Sequence, residues 1–493
     1  MERKLSDQEI IRREKLAQLQ GNKQDPFAIT KVKRTHDSAQ FVAEFNHFTK
    51  EELHEQTSAE VVMAGRLMNT RRTFGIVADF AGKFQIYINK KELSSDVFEA
   101  FNALDIGDFV EVHGTAMKTN TQELTLNVTK IILISKCLNV LPEKYHGLVD
   151  EEIKARHRYL DLIMNDESKQ TFVMRSKIIQ TIRNFLDTDG YLEVETPVLN
   201  DVLGGAAAKP FITFHNTLSK NYYLRIATEI ALKKCIVGGF EKVYEIGRIF
   251  RNEGMDSTHN PEFTSLELYA AYEDLDYIMD LTENLIKHLV KTLKIENVFF
   301  RGFNIDLNQP FKKQHMVDLI KEYVGVDFYA VKNDEEALAL ADKYEVKYEK
   351  HQKTYGHIIN LFFEKFVEEK LIQPTFVYGH PLDVSPLTKK CVNDPRFTER
   401  FELFIGQKEF ANAYAELNDP IDQRTRFMNQ IAEKDLGNDE ANELDEEFLY
   451  ALEYGMPPTG GLGIGIDRLI MLLTNNDSIR NVLLFPHMKD RNN

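Results

Sequence analysis

The chain has 493 residues, of which 43% are hydrophobic and 28% charged, and its formal net charge is −16. This length allows two or three domains, and the composition is ordinary for a soluble globular protein. No apolar run reaches the length of a transmembrane helix, the first residues lack the apolar core of a signal peptide, and Cys137, Cys235 and Cys391 show no CxxC spacing. We therefore expect a cytoplasmic protein with neither a structural zinc site nor a disulfide framework.

The N-terminal segment is basic although the whole chain is acidic. Residues 1–34 contain nine lysines and arginines against five acidic residues. A helix is predicted over residues 1–20, with an apolar stripe of Ile10, Ile11, Leu16 and Leu19. Such a basic stretch can contact phosphates even on an acidic protein, because salt screens charges beyond about 8–10 Å. A solvated amphipathic helix is the alternative.

The next segment combines five predicted strands with one predicted helix. In chain order these are strands 61–68, 74–80 and 84–88, helix 91–104, and strands 109–117 and 124–134. This order is typical of the OB-fold barrel, whose strand face and loops bind oligonucleotides, although other small barrels share the strand count. We place a helical extension at 1–54, the barrel domain at 55–140 and a linker at 141–150.

Residues 151–493 alternate long helices with strands, which favours an α+β domain. Helices are predicted at 151–164, 168–187, 275–293 and 421–433, and helical patterns at 334–344 and 357–371 indicate a small helical insert at about 325–372. After the second helix, the run DGYLEVETP at 189–197 ends at Pro197. A proline at the end of such a run suits an edge strand or an interface.

Residues 242–273 contain a predicted hairpin with unusual side chains. Two apolar, β-prone runs at 242–250 and 263–272 flank a polar turn. Because side chains two apart share a strand face, Arg251 should lie beside Glu253. The same spacing groups Phe263, Ser265, Glu267 and Tyr269. This surface favours a small, charged, partly aromatic ligand, and a solvated hairpin is the alternative.

Two later segments add candidate binding residues. The run 401–418 places Asn412, Tyr414 and Glu416 on one strand face, and Glu402 and Glu409 flank a predicted turn at Gly406.

The run GGLGIGIDRLIMLL at 460–473 allows close backbone approach before a helix. Arg468 in the first turn of that helix opposes the helix dipole, and a residue that breaks a local rule is more often functional. A glycine-rich strand with Arg468 in a salt bridge is the alternative.

The sequence contains no GxxxxGK[ST] phosphate loop, so arginines and a metal would have to bind any phosphate. Several carboxylates, among them Glu229, Glu267 and Glu416, should surround the pocket. A neutral or acidic substrate would leave some of them unpaired. Charge balance therefore favours a cationic substrate such as lysine, with Mg²⁺ neutralising the remainder.

These segments together resemble the class II aminoacyl-tRNA synthetases. Phe250, Arg251 and Glu253, followed by His259, Pro261, Glu262 and Phe263, are similar to the FRxE–loop–HxPEF pattern of motif 2 (about 242–273). Pro197 lies where motif 1 (about 168–197) has its proline, and 460–473 resembles the GxGxGxDR pattern of motif 3. From about residue 55 onward the chain resembles the bacterial-type lysyl-tRNA synthetases of subclass IIb, for example in GGAAAKPF at 204–211, EFANAYAELND at 409–419 and ALEYGMPPTGGLGIGIDR at 451–468.

The resemblance implies a fold and an activity. The fold is an OB-fold barrel followed by an antiparallel β-sheet flanked by helices. The activity is ATP-dependent ligation of L-lysine to tRNA(Lys) through a lysyl-adenylate, with Mg²⁺, in a homodimer formed through motif 1 at Pro197.

The resemblance also implies residue roles, with Arg251 and Arg468 catalytic and Glu402 and Glu409 holding Mg²⁺. The residues implied to bind ATP are Arg251, Glu253, His259, Asn260, Phe263 and Arg468. Those implied to bind lysine are Gly205, Glu229, Glu267, Tyr269, Asn412, Tyr414 and Glu416. Those implied to read the anticodon are Arg72, Phe74, Gln85 and Glu123, although Phe74 could instead belong to the barrel core.

Three other interpretations stay open. An aspartyl- or asparaginyl-tRNA synthetase shares the barrel and the motifs, but its pocket should offer an arginine to the substrate side chain. An enzyme that attaches a lysine-type group to a translation factor would lack the barrel. A non-catalytic RNA-binding protein would not need the intact Arg251, Glu402, Glu409 and Arg468.

The chain departs from the family pattern at Lys209, where arginine is usual, and at Thr228 and Lys489.

Overall fold

The computed structural model describes residues 4–55, 60–89, 95–142, 148–438 and 443–490. The chain divides into two compact units, Met1–Gly147 and Leu148–Asn493. Parts of three predictions lie outside the described residues: the first residues of the N-terminal helix, the start of helix 91–104, and Glu143-Lys144 of the linker. Within the described ranges, no helix combines the length and the apolar character needed to cross a membrane.

The first unit contains a closed five-stranded barrel. Its helices are α1 (Asp7–Gly21), α2 (Ser38–Phe45), α3 (Lys50–Glu55) and α4 (Ser95–Ala103). Its strands are β1 (Val61–Arg71), β2 (Phe74–Ala78), β3 (Lys83–Tyr87), β4 (Phe109–Lys118) and β5 (Leu124–Ser135). The strand order is β1-β2-β3-β5-β4, and β1 closes the barrel by pairing antiparallel with both β2 and β4. The predicted five-stranded barrel is confirmed.

Alternating side chains fill the barrel. On β4, Val110 and Val112 are fully buried while Glu111 between them is partly exposed, as expected when one strand face lines the interior. Phe41 on α2 and Phe101 on α4 belong to the same hydrophobic cluster. The barrel therefore has its own core, which leaves its outer surface and loops available for binding.

Helix α1 packs through only part of the predicted apolar stripe. Ile10 and Ile11 are 43% and 42% exposed, whereas Leu16 and Leu19 are partly buried. Arg12 is buried, and its Nη1 donates to the backbone oxygens of Cys137 at 2.9 Å and Asn139 at 2.7 Å. The segment that follows β5 has backbone carbonyl oxygens that need hydrogen-bond donors. The Arg12 guanidinium donates to two of them, while the methylene part of its side chain stays packed.

The second unit contains the remaining twelve described helices and thirteen strands. Its helices are α5 (Glu151–Arg156), α6 (Arg158–Met164), α7 (Asp166–Thr188), α8 (Glu229–Val237), α9 (Leu275–Thr292), α10 (Met316–Val324), α11 (Asp334–Lys343), α12 (Tyr355–Phe366), α13 (Pro420–Asp435), α14 (Glu446–Glu453), α15 (Ile466–Leu473) and α16 (Ile479–Val482). Its strands are β6 (Leu192–Glu193), β7 (Leu199–Asn200), β8 (Ile212–His215), β9 (Lys220–Leu224), β10 (Lys242–Phe250), β11 (Glu262–Ala271), β12 (Val298–Phe300), β13 (Phe303–Ile305), β14 (Lys312–His315), β15 (Thr375–Tyr378), β16 (Arg400–Ile405), β17 (Lys408–Ala415) and β18 (Thr459–Gly465).

An eight-stranded sheet organises this unit. Its order is β14-β15-β16-β17-β18-β11-β10-β6, and it is antiparallel except at its two ends, where β14 pairs parallel with β15 and β6 with β10. Leu266 and Leu268 of β11 belong to the main core with residues of α7, α9 and α15, such as Ile182, Leu285 and Leu469. Because strand side chains alternate, the intervening residues of β11 point to the opposite face. That face carries the site.

Two predicted helices differ in detail. The helix expected at 151–164 is two helices, because the chain breaks at His157, whose φ is −118° and ψ is 52°. The break lets Arg158 turn inward, where it bonds Asp161 at 2.5 Å and the backbone oxygen of Arg480 at 2.6 Å. The helix expected at 357–371 is α12 followed by a 3₁₀ turn, Glu368–Lys370.

Candidate active site

A cavity of about 460 Å³ opens on the face of the large sheet that carries the polar side chains of β11. Strands β11, β16, β17 and β18, the loop after β10 and the starts of α8 and α15 contribute to its wall. Every residue that the sequence suggested for ATP, lysine or metal binding lines this one cavity. These are Gly205, Glu229, Arg251, Glu253, His259, Asn260, Phe263, Glu267, Tyr269, Glu402, Glu409, Asn412, Tyr414, Glu416 and Arg468.

Glycines of β18 make room between two strands that carry large side chains. Gly461 is paired with Tyr269 of β11 on one side and with Tyr414 of β17 on the other. A Cβ at this position would lie 2.7 Å from Tyr269 Cε1 and would overlap Glu416 Oε1. The glycine is therefore required if Glu416 is to lie over the strand.

One end of the cavity is cationic and aromatic. Strand β10 ends at Phe250, so the prediction that Arg251 and Glu253 share a strand face is wrong. The polar residues turn the chain at once, because Glu253 N donates to Arg251 O at 3.0 Å. The Arg251 guanidinium lies 5.3 Å from the ring centroid of Phe263, and its buried Nε has no acceptor among the described residues. A buried donor without a partner indicates a place for an acceptor from a ligand.

The loop between β10 and β11 is held by its own polar side chains. Asp256 bonds His259 Nδ1 at 2.8 Å and accepts from the backbone of Thr258 at 2.6 Å. These bonds outweigh the effect of burial and hold the pKa of Asp256 below its usual range. Asn260 donates to the backbone oxygen of Glu262 at 2.7 Å. His259 and Asn260 are thus held at the cavity wall before any ligand binds.

The other end of the cavity is acidic and buried. Burial raises the pKa of Glu267 to about 7, and neighbouring Glu229 adds to the rise, whereas hydrogen bonds from Thr228 N and the charge of Arg251 oppose it. Burial raises the pKa of Glu416 well above its usual range as well. Apart from one ion pair with Lys233, neither oxygen of Glu416 accepts a hydrogen bond from the part of the chain that the structure describes. This end can accept a cation.

The Glu229 side chain is fixed by contacts on two sides. Tyr414 Oη donates to Glu229 Oε2 at 2.6 Å, and burial beside Glu229 raises the pKa of Tyr414 well above its usual range, so the phenol stays a donor. Gly205 adopts a φ of +86°, and a Cβ there would lie 3.0 Å from Glu229 Cβ. The loop can approach Glu229 this closely only with glycine.

Glu402 and Glu409 lie on neighbouring strands. Strand β16 ends at Ile405 and β17 begins at Lys408, with Gly406 at φ +55° between them, so the predicted turn is confirmed. Burial and then the charge of Glu402 raise the pKa of Glu409, while Arg468 opposes the rise. Among the described residues there is no group of three or more His, Cys, Asp or Glu side chains that could hold a metal alone. Mg²⁺ commonly binds one or two carboxylates together with substrate phosphates, so this pair suits it.

Two residues of the site escaped sequence reasoning. Arg400 lines the cavity, donating to Glu402 Oε1 at 2.7 Å and to Asn412 Oδ1 at 3.0 Å. Its position two residues before Glu402 on one strand was the available signal. Lys233 lies behind the cavity wall on α8 and pairs with Glu229 and Glu416. Its spacing of four from Glu229 was the signal in that case.

The barrel has a cavity of its own of about 340 Å³. Phe74, Gln85 and Glu123 line it, and Gln85 Nε2 donates to Glu123 Oε2 at 3.2 Å. Arg72 lies in the β1–β2 turn at φ +55° and does not contribute to the wall, whereas its neighbour Arg71 does. Phe74 is only partly buried, with its ring centroid 4.8 Å from that of Tyr87, so it is not a core residue.

Pro197 lies at an exposed apolar surface. It falls between β6 and β7 and is itself exposed. Val198 and Leu199, which follow it, are 40% and 45% exposed, and Leu192 on β6 is 48% exposed.

Comparison with known proteins agrees with this geometry. Residues 150–489 match the family described as tRNA synthetases class II (D, K and N), and residues 61–134 match the OB-fold nucleic acid binding domain. The chain is 69% identical over 491 residues to the lysine–tRNA ligase of Ureaplasma urealyticum serovar 10, with all of both chains covered. The chain belongs to the lysine–tRNA ligase family of class II tRNA synthetases. The lysine–tRNA ligases of Malacoplasma penetrans and Staphylococcus aureus are 61% and 53% identical to it, again over the full length of both chains.

Membership of the lysine–tRNA ligase family confirms the resemblance that motif-like segments 242–273 and 460–473 indicated. The matched class II family includes enzymes for D, K and N, so it does not by itself select the amino acid. The acidic end of the cavity and the names of the full-length relatives both favour lysine within that set.

Proposed function

We propose that this chain is an ATP-dependent enzyme that ligates L-lysine to tRNA(Lys) through a lysyl-adenylate, in the cytoplasm. The observation that carries the proposal is a single cavity with opposite chemistry at its two ends. Arg251, Phe263 and Arg468 suit a nucleotide at one end, and buried Glu267 and Glu416 suit a lysine ammonium at the other.

The first step joins lysine to AMP. The lysine carboxylate attacks the α-phosphorus of ATP in line, an oxygen–phosphorus bond forms, and pyrophosphate leaves with the electron pair of the broken bond. Negative charge develops on the equatorial oxygens of the α-phosphate. Arg251, whose Nε lacks an acceptor among the described residues, is suited to stabilise this charge.

The adenine ring would stack between Phe263 and Arg468, since a guanidinium and an aromatic ring both bind a planar π-system. Glu253 and Asn260 would fix the adenine edge, and His259 would contact the distal phosphates. Support comes from the fact that all of them line the same cavity.

Lysine would be bound through both of its ammonium groups. Glu229 and the loop at Gly205 would receive the α-ammonium, and Glu416 with Tyr269 would receive the ε-ammonium. Glu267, Asn412 and Tyr414 would complete the wall around the side chain.

Glu402 and Glu409 would hold Mg²⁺ with the ATP phosphates. The ion would neutralise charge on the phosphates. Burial and the charge of Glu402 raise the pKa of Glu409, and a bound divalent cation would lower it again. Arg400 orients Glu402 for this role through the bond between their side chains.

In the second step the terminal ribose hydroxyl of the tRNA attacks the lysyl carbonyl carbon and forms an ester. The bond between that carbon and the phosphate oxygen breaks, and AMP leaves with the electron pair while its phosphate takes up the hydroxyl proton. No protein nucleophile is needed, because positioning and electrostatics can supply the rate. The barrel cavity at Phe74, Gln85 and Glu123, with Arg72 in the adjoining turn, would read the anticodon. Exposed Pro197 and its apolar neighbours would form a homodimer interface.

The test is transfer of radiolabelled lysine to a tRNA(Lys) transcript. Acid-precipitable lysine should accumulate only when ATP and Mg²⁺ are both present. A tRNA(Asp) transcript with labelled aspartate is the control for the related specificity. Charging with aspartate, or no charging with lysine, would contradict the proposal.

A further inference from the structure

Lys233 is a fully buried cation directly behind the acidic end of the cavity. It lies one helical turn after Glu229 on α8, and its relative exposure is 0%. Its ammonium pairs with Glu229 Oε1 and with Glu416 Oε2. A single ammonium thus bridges two carboxylates that come from different parts of the fold.

The surroundings of Lys233 offer these two carboxylates and two aromatic rings. Its Nζ lies 5.5 Å from the ring centroid of Tyr414 on β17 and 5.9 Å from that of Phe448 on α14. Glu229 and Glu416 raise the pKa of Lys233 against the effect of burial, so the amine is protonated. A buried ammonium is stable only with such partners.

The charges at this end of the cavity can be counted. Glu229, Glu267 and Glu416 carry three negative charges when ionised, and Lys233 offsets one of them. Two charges remain, which equals the number of ammonium groups on lysine. Arg251, whose charge also acts on Glu267, would be matched by the lysine carboxylate.

We propose that Lys233 is a positioning residue that sets the charge of the lysine pocket. Its ammonium holds Glu229 and Glu416 in place and favours the ionised form of Glu416, so that the pocket can present two negative charges to a substrate with two ammonium groups. The inference rests on the proposed function, since it takes lysine as the substrate.

A purely structural ion pair would have different consequences. If Lys233 only stabilised the fold, its loss would lower the amount of active enzyme without changing how the remaining enzyme responds to pH or to lysine concentration. If it sets the pocket charge, its loss would raise the pKa of Glu416 further, because Lys233 now opposes the effect of burial there, and would weaken lysine binding specifically.

The first test replaces Lys233 with methionine, which keeps the length of the side chain and removes the charge. In lysine-dependent ATP–pyrophosphate exchange, Lys233→Met should raise the KM for lysine at least about tenfold and leave the KM for ATP within about twofold. The acidic limb of kcat/KM for lysine should move to higher pH by about one unit or more.

Lys234→Met is the matched control. Lys234 is the next residue of α8, but it pairs with Glu447 and lies outside the cavity. It should leave the lysine KM and the pH profile unchanged. A folded Lys233→Met variant with the wild-type lysine KM and the wild-type acidic limb would overturn the proposal.

A second test does not depend on the folding of that variant. The double variant Lys233→Met/Glu416→Gln removes both members of one ion pair, a change that buried sites commonly tolerate. Glu229 loses its ammonium partner in this variant but keeps the hydrogen bond from Tyr414 Oη. Glu416→Gln alone reduces the pocket to one net negative charge, whereas the double variant restores two. The double variant should therefore have a lysine KM about fivefold below that of Glu416→Gln. A higher KM in the double variant would overturn the proposal.

The wild-type exchange assay separates the two levels of inference. Absence of lysine-dependent exchange in the wild type would remove the proposed function and this inference together. Lysine-dependent exchange in the wild type, with a double variant worse than Glu416→Gln, would leave the function standing and remove only the role of Lys233.

Discussion

Glu267 links lysine binding to pH. Its pKa of about 7 means that the empty pocket carries a proton on this carboxyl below neutrality. A bound ammonium group favours the ionised carboxylate, so the proton must leave when lysine binds. Binding is therefore strongest above pH 7 and weakens as the pH falls through 7, by up to about tenfold per pH unit.

Calorimetry of lysine binding at pH 7 should detect this proton. The apparent enthalpy should differ between phosphate and Tris in proportion to their ionisation enthalpies, with about half a proton released. The difference should vanish at pH 8.5 and in Glu267→Gln. Undiminished proton release in Glu267→Gln would assign the titration to another group.

Gly461→Ala should impair lysine use with little effect on ATP. The new Cβ would overlap Glu416 Oε1 and approach Tyr269, so the carboxylate would have to move away from its position over β18. We expect the KM for lysine in pyrophosphate exchange to rise about tenfold or more, as when one partner of a buried charged pair is lost. Gly21→Ala is the control for an added methyl group, since nothing lies within 4 Å of that position and its φ is not positive. Equal losses for lysine and ATP would show that Gly461 supports the whole cavity.

Arg251→Ala should abolish most adenylate formation. Removing a donor that stabilises transition-state charge commonly costs about 10²–10³ in rate. Arg248→Ala is the control, because Arg248 lies on the same chain segment but is exposed and outside the cavity. Near-normal exchange in Arg251→Ala would exclude Arg251 from the chemical step.

At the scale of elements, strand periodicity predicted more of the site than helix periodicity did. Alternation correctly grouped Phe263, Ser265, Glu267 and Tyr269 on one face of β11, because a period of two leaves no choice of face within a strand. Helix α1 shows the contrast. Only part of its predicted apolar stripe is packed, because Arg12, which satisfies distant backbone oxygens, decides the docking.

The site residues that escaped the sequence share a physical reason. Lys233 and Arg400 contact other side chains of the site, and their importance depends on partners far away in the chain. Lys233 pairs with Glu416, which lies nearly two hundred positions later. Patterns of neighbouring residues in the sequence do not predict such long-range pairs, because the two side chains meet only in the folded protein.

The elements around Pro197 carry a prediction about assembly. Leu199→Glu would place a charge on the exposed apolar surface beside Pro197, and burying an unpaired charge in an interface is costly. Sedimentation should show a homodimer for the wild type and monomers for this variant. Ile421→Glu changes an equally apolar side chain, 79% exposed on α13, and should leave the mass unchanged. A dimer that survives Leu199→Glu would contradict an interface at this surface.

At the scale of the whole molecule, two units each contain a cavity, and the proposed function assigns them separate tasks. Phe74→Ala should raise the KM for tRNA about 5- to 150-fold, since stacking of a base on an aromatic side chain is worth about 1–3 kcal/mol. Pyrophosphate exchange without tRNA should be unaffected. Phe80→Ala removes a ring that is 79% exposed and outside the barrel cavity, and it should change neither activity. A normal tRNA KM in Phe74→Ala would contradict a role for Phe74 in reading the anticodon.

The net charge of the whole chain is −16. It argues against a nucleic-acid partner, whereas the barrel and the basic N-terminal segment argue for one. The structure shows that Arg12, Arg13 and Lys15 bond groups within the first unit, so these three basic residues of α1 are already engaged.

The most direct measurement is ATP–pyrophosphate exchange with each of the twenty amino acids, in the absence of tRNA. The account predicts a signal with lysine alone, because only lysine brings two ammonium groups and an alkyl chain of this length to a pocket with two net negative charges. A signal with aspartate or asparagine would keep the fold and contradict the assignment of the acidic pocket. Silence with all twenty, from a folded protein, would contradict catalysis of adenylation itself.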